Sequence, residues 1–97
     1  MERTPEQWEA HVKEELANSD EMQLLDLAQD CAIRLATTLG DKKADVRNGE
    51  EYDPALYSDL TRRIARMAVM LDVLQLRYSD AAEEEFTFLK DIEGCLE

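Results

Sequence analysis

Asp26 and Asp30 stand four residues apart in a stretch reading LLDLAQDCAIRLA. On a helix that spacing puts both carboxylates on one face. Carboxylates on facing helices are the usual way for a helical bundle to hold Mg²⁺. The same spacing has a plain alternative, a polar flank on which Asp30 pairs with Arg34 one turn on. The second cluster with chemical potential is cationic. Arg62, Arg63 and Arg66 come just as the apolar run IARMAVMLDVLQLRY begins. Guanidinium groups stay charged and offer a rigid fork of donors. They can balance charge on a solvated flank, pair bidentately with carboxylates on another helix, or receive an anion such as a nucleotide phosphate.

Other chemistry is thinly supported. His11 is the one histidine and has no cysteine or second histidine at metal-binding spacing. We expect a surface position for it. No glycine-rich phosphate loop and no nucleophile elbow occurs. Ser19, Ser58 and Ser79 fall at cap or helix-start positions, and no base is placed by pattern beside Cys31 or Cys95. Both cysteines fall where a helix carries a small apolar residue, so reduced thiols in or near a core are expected.

Four helices and no strands would position these residues, over about 5–18, 20–39, 54–78 and 80–96. Thr4, Pro5 and Gln7 make a capping-box start, followed by Trp8, Val12 and Leu16 on one face. Ser19 or Asp20 caps the second helix. Its stripe is Leu24, Leu27, Ala28, Cys31, Leu35 and Leu39, and Gly40 stands where a left-handed terminator belongs. Residues 40–53, GDKKADVRNGEEYD, read as a long polar connection. Asp53 and Pro54 open the third helix. Leu60, Ile64, Met67, Leu71, Leu74 and Tyr78 continue a heptad-like seam from Leu56. Val69, Met70, Val73 and Leu76 broaden it until the second half is apolar on most sides. Such a helix needs partners on more than one face, so a homodimer is expected, with the seam serving as core and dimer face. Asp80 and Glu83 read as a further capping box, and Glu83, Glu84 and Glu85 suit the first turn of the last helix. Phe86, Leu89, Ile92 and Leu96 line one face of that helix.

The whole forms one small domain of 97 residues with net charge −12. With 44% hydrophobic and 35% charged residues, the composition is globular rather than disordered. Three glycines and two prolines leave little room for a turn-rich sheet. The negative charge argues against direct nucleic-acid or anionic-membrane binding; it reads either as an ordinary solvated helical surface or as a surface built to engage a protein partner with a basic surface. MERTPEQWEA lacks the apolar core of a signal segment and no run reaches the length of a membrane span. A cytoplasmic protein is expected.

The order of elements, MQLLDLAQDCAIRLA, a polar linker, LTRRIARMAVMLDVLQLRY and an acidic last helix, resembles the MazG-like family of all-α nucleoside triphosphate pyrophosphohydrolases over about residues 20–96. The resemblance implies a small antiparallel four-helix bundle around a helical hairpin, dimerising. It also implies Mg²⁺ bound by Glu-Glu-x-x-Glu on one helix and Glu-x-x-Asp on the next long one. Laid on this chain, the first motif falls on Asp26, Leu27 and Asp30, and the second on Arg63 and Arg66. Arginine stands where the second motif needs acids. By this reading Asp26 and Asp30 face Arg63 and Arg66 in ion pairs, no metal is held, and no cofactor is expected.

The functional expectation is a non-catalytic acidic interaction protein on a MazG-like scaffold. It would engage a basic surface of a nucleic-acid-handling partner, in the manner of a phage or mobile-element inhibitor, with Arg62, Arg63, Arg66, Glu83, Glu84 and Glu85 as interaction residues. One alternative is a Mg²⁺-dependent nucleoside triphosphate pyrophosphohydrolase using Asp26, Asp30 and further acids such as Asp59 or Asp72. The other is a structural subunit.

Overall fold

The computed structural model describes residues 2–49 and 52–96. They form four helices with no strand among them: α1 (Pro5–Ala17), α2 (Glu21–Arg47), α3 (Pro54–Arg77) and α4 (Ala81–Leu96). The helix starts are fixed locally. Thr4 Oγ1 accepts from the Gln7 N–H at 3.1 Å, and Gln7 Oε1 accepts from the Thr4 N–H at 3.0 Å. This reciprocal pair satisfies two amide groups that a helix end leaves open. Asp20, rather than Ser19, caps α2 by accepting from the Gln23 N–H. Asp53 caps α3 ahead of Pro54.

Helix α2 corrects the expected connection. It runs through Gly40 and ends at Arg47, so residues 40–47 are helix rather than loop. The left-handed residue is Gly49, at φ 68°. The stripe on α2 does not stop at Leu39; it continues in polar residues. Thr38 is buried and Lys42 and Asp45 are half-buried at steps of four and three. A search for apolar periodicity cannot see a seam made by Thr, Lys and Asp. Residues 50 and 51 of the expected connection lie outside the described residues.

Helices α2 and α3 pack antiparallel, since Glu21 reaches Tyr78 and Thr38 reaches Asp59. Helix α1 lies against α3, running the same way, with Lys13 at Asp72 and Ala17 at Arg77. The core between them is small: Ala17, Leu24, Ala28, Met70 and Val73, flanked by Leu16, Cys31 and Leu74. The heptad-like seam of α3 is not this core. Met70 and Val73 are the buried positions, while Leu60, Met67 and Leu74 are half-buried and Ile64, Leu71 and Tyr78 are exposed. With helices on two sides of it, α3 turns inward at the residues between the seam positions.

Helix α4 contributes least. None of its residues is buried, and Phe86, Phe88, Leu89, Ile92 and Leu96 are exposed. Cys95, expected near a core, is exposed and free, and Cys31 is half-buried and free. The Asp80–Glu83 contact is a backbone bond of 3.2 Å. The first turn is tied down where Gln75 Nε2 donates to Glu85 Oε2 at 3.0 Å.

This arrangement leaves much surface open. The accessible area is 7836 Å², against about 5,700 Å² for a compact monomer of 11.2 kDa. The radius of gyration is 16.8 Å, where a globule of this length has about 12.5 Å.

Candidate functional site

The two expected clusters meet in a groove of about 530 Å³ between α2 and α3. Leu27, Cys31, Val69 and Met70 make its apolar floor, and Asp30, Arg34, Arg63 and Arg66 stand at its walls. The helix periods explain the meeting. Leu27, Cys31 and Arg34 follow at steps of four and three on α2, and Arg63, Arg66 and Met70 follow at steps of three and four on α3. Antiparallel packing sets the two rows opposite each other.

Not every candidate is brought there. Asp26 and Arg62 are exposed and line no part of the groove. Glu83, Glu84 and Glu85 sit exposed on the first turns of α4. His11 pairs with Glu15 within α1 at 2.8 Å.

The expected ion pairs across the helices are not formed among the described residues. Asp30 Oδ2 accepts from Arg34 Nε at 2.9 Å, one turn along the same helix. Arg63 turns to Asp59 at 3.6 Å, again one turn away on its own helix. A partner at i+4 is within reach whatever the packing does, so each charge takes the local one. The polar link between the helices lies further along. The buried Thr38 hydroxyl is 3.0 Å from the Arg34 carbonyl oxygen and 3.2 Å from Asp59 Oδ2, and its single proton serves one at a time. With Arg63 beside Asp59, this makes a short network at the end of the groove.

The donor set does not suit Mg²⁺. That ion takes hard anionic oxygens in octahedral array. Here Asp30 is engaged by Arg34, Asp26 stands apart, and α3 offers two guanidinium groups. No group of three or more histidine, cysteine, aspartate or glutamate side chains comes together among the described residues. Thr38 is the residue that the sequence reading passed over, and Arg34 entered it only as the partner of Asp30. Arg34 was visible, since it continues the Leu27–Cys31 row, yet its pairing with Asp30 hid its place in the groove wall. Thr38 gave no signal, because a polar residue on a buried seam does not mark itself.

A second cleft opens between α1 and α3. Glu6, Glu9, Glu14 and Asp72 line it around Lys13. The ammonium lies 2.7 Å from Asp72 Oδ2 and 2.8 Å from Glu9 Oε1. These bonds, first to Asp72 and then to Glu9, hold its pKa above the ordinary 10.5. At the far end of α3, Arg77 Nη1 donates to the Ala17 carbonyl oxygen at 3.2 Å, and its Nη2 lies 3.6 Å from Glu21 Oε2. The Tyr78 hydroxyl donates to Glu21 Oε2 at 2.9 Å. That bond to a carboxylate, with some loss of hydration, raises the phenol above its ordinary 10.0.

No helix among the described residues is long and apolar enough to cross a membrane. Compared with protein-family models, curated proteins and solved structures, the chain matches none.

Proposed function

We propose that this chain is a non-catalytic interaction protein, an acidic helical scaffold that works by association. One observation carries the reading. The chain exposes about 2,100 Å² more than a compact monomer of its mass, and much of what it exposes is large and apolar. Trp8, Ile33, Phe86, Phe88, Leu89 and Leu96 all stand in solvent. Large apolar side chains gathered on one exposed helix, as Phe86, Phe88, Leu89 and Leu96 are on α4, mark contact with another macromolecule.

The charge defines the partner. A chain at −12 attracts a basic surface and repels nucleic acid. The acid-lined cleft of α1 and α3 is the face for it, because Glu6 and Glu14 line it with no ion pair among the described residues and can meet lysine or arginine side chains. Proteins that handle nucleic acid carry such basic surfaces, and ordered carboxylates imitate a phosphate backbone. An inhibitor of the phage or mobile-element kind is the role we assign. In this reading α2 and α3 correspond to the MazG-like hairpin, with the second pair of metal-binding acids replaced by Arg63 and Arg66. The site of action is the cytoplasm, where both thiols stay reduced.

The test has two arms. The tagged chain should capture a basic protein from an extract of its native source, with the captured protein lost in Glu6→Lys/Glu14→Lys and at raised salt. Purified chain with Mg²⁺ or Mn²⁺ should leave nucleoside triphosphates unhydrolysed. Turnover that disappears in Asp30→Ala would establish an enzyme and overturn the proposal.

A further inference from the structure

We infer that α4 is a strap that closes over the seam of α3 in its own chain, Leu89 settling beside Leu71 and Leu96 beside Ile64. The inference rests on the reading above that the chain works by association and adds its regulation. Closure withdraws the apolar side of α4 from other macromolecules, so the strap sets when the chain can associate.

The tie at the base of α4 fixes direction and register. Gln75 Nε2 donates to Glu85 Oε2 across ten residues of sequence. Gln75 stands two residues before the end of α3, and Glu85 four residues past the start of α4. A bond between them requires the chain to double back over the link 78–80, as short helix connections do. Moving away from the tie by one helical turn pairs Leu71 with Leu89. The next turn pairs Ala68 with Ile92, and the one after it Ile64 with Leu96.

The faces agree with that register. At about 100° per residue, Leu89, Ile92 and Leu96 fall within about 40° of Glu85 around α4, and Leu71 and Ile64 within about 40° of Gln75 around α3. The tie therefore turns the apolar side of α4 toward the seam. Glu84 and Asp91 lie on the opposite side of α4, where closure leaves them in water.

Both surfaces are open and alike in length. Ile64, Leu71 and Tyr78 are exposed on the seam, and Phe86, Leu89, Ile92 and Leu96 on α4. From Ile64 to Tyr78 the seam is about 21 Å long, and the 16 residues of α4 span about 24 Å. A helix of that length with no packed face is marginal in water. The tether holds the seam beside it at an effective concentration on the order of 1 mM, which a separate molecule does not match at micromolar concentration.

Cysteine pairs test the closure. In a Cys31→Ser/Cys95→Ser background, Leu71→Cys/Leu89→Cys puts thiols at a facing pair, and Leu71→Cys/Glu84→Cys puts one of them outward. In a glutathione redox buffer the facing pair should form a disulfide within one chain. Its rate should be independent of protein concentration and at least about tenfold above that of the outward pair. The locked chain should bind the apolar dye anilinonaphthalene sulfonate at least about threefold more weakly than the same chain reduced. Wild type, which needs no substitution to fold, should show α4 amides protected from hydrogen exchange to the same extent at low and high micromolar protein. The inference is overturned if both pairs react alike or crosslink only between chains. It is equally overturned if α4 exchanges as an unpacked helix, or gains protection only as concentration rises. Equal dye binding by locked and reduced chains would remove the control of association. None of these measurements uses a partner. Failure to capture a basic protein would therefore sink the association reading alone, and failed closure would leave capture through the α1–α3 cleft untouched.

Discussion

Val73 and Leu71 lie two residues apart on α3 and should respond to truncation in different ways. Val73 is 0% exposed and packs in the core with Leu24 and Met70, whereas Leu71 is 49% exposed. Val73→Ala removes roughly two methylene equivalents, about 1.6 kcal/mol of transfer free energy at 0.8 each. Adding the cavity that a close-packed site only partly closes brings the loss to about 2–3 kcal/mol. Leu71→Ala within a single chain removes a half-buried side chain. Half of the 1.5–3 kcal/mol for full burial, scaled to the atoms lost, leaves about 1 kcal/mol. If association covers Leu71, that cost rises with protein concentration, because the folded state then gains burial only in the complex. Urea unfolding followed by circular dichroism at low and high micromolar protein separates the contributions. The Val73→Ala loss should appear at both concentrations. The reasoning fails if Val73→Ala costs less than about 1 kcal/mol. An unchanged Leu71→Ala cost across the concentration range would show that association leaves this part of α3 uncovered.

Three further expectations follow from the geometry. Asp30→Ala should change stability by only about 0–1 kcal/mol, since Asp30 and Arg34 are 56% and 55% exposed and screened by solvent; it should add to Arg66→Ala without coupling in a thermal-unfolding cycle. Lys13 and Tyr78 both have raised pKa values in the folded chain, so each binds its proton more tightly there than in the unfolded chain. Their stabilisation is therefore whole below the ordinary values of 10.0 and 10.5 and is lost as pH climbs through the raised ones. Alkaline unfolding of Lys13→Met and Tyr78→Phe should show a weaker pH dependence in that range than wild type. The glycines should give opposite signs. Gly40→Ala sits in a helix with open space around the new methyl and should stabilise by about 0.4–1 kcal/mol, whereas Gly49→Ala at φ 68° should destabilise by about 1–2 kcal/mol. Destabilisation by Gly40→Ala in a melt would contradict a continuous α2.

Much of this molecule is written in short-range signals. The Thr4–Gln7 box, the Asp53–Pro54 start and the Asp20 cap are choices made within three residues of one another, and local hydrogen bonding decides them before any packing occurs. Apolar periods set the four helices in order. They also put Asp30, Arg63 and Arg66 on faces that meet. The Asp30–Arg34 pair was legible for the same reason, because i+4 neighbours touch on any helix. The tertiary structure decided what periodicity cannot weigh. It carried α2 past Gly40 on a seam of Thr38, Lys42 and Asp45, whose burial depends on α3 lying opposite. It chose Met70 and Val73 over the heptad positions, since the inward side of α3 is fixed by two helices at once. It kept Arg63 with Asp59 rather than across the groove, because the local partner costs no rearrangement. And it left α4 uncovered, since whether an amphipathic face finds a partner depends on where its first turn is anchored, and Gln75 anchors it away from the arginines.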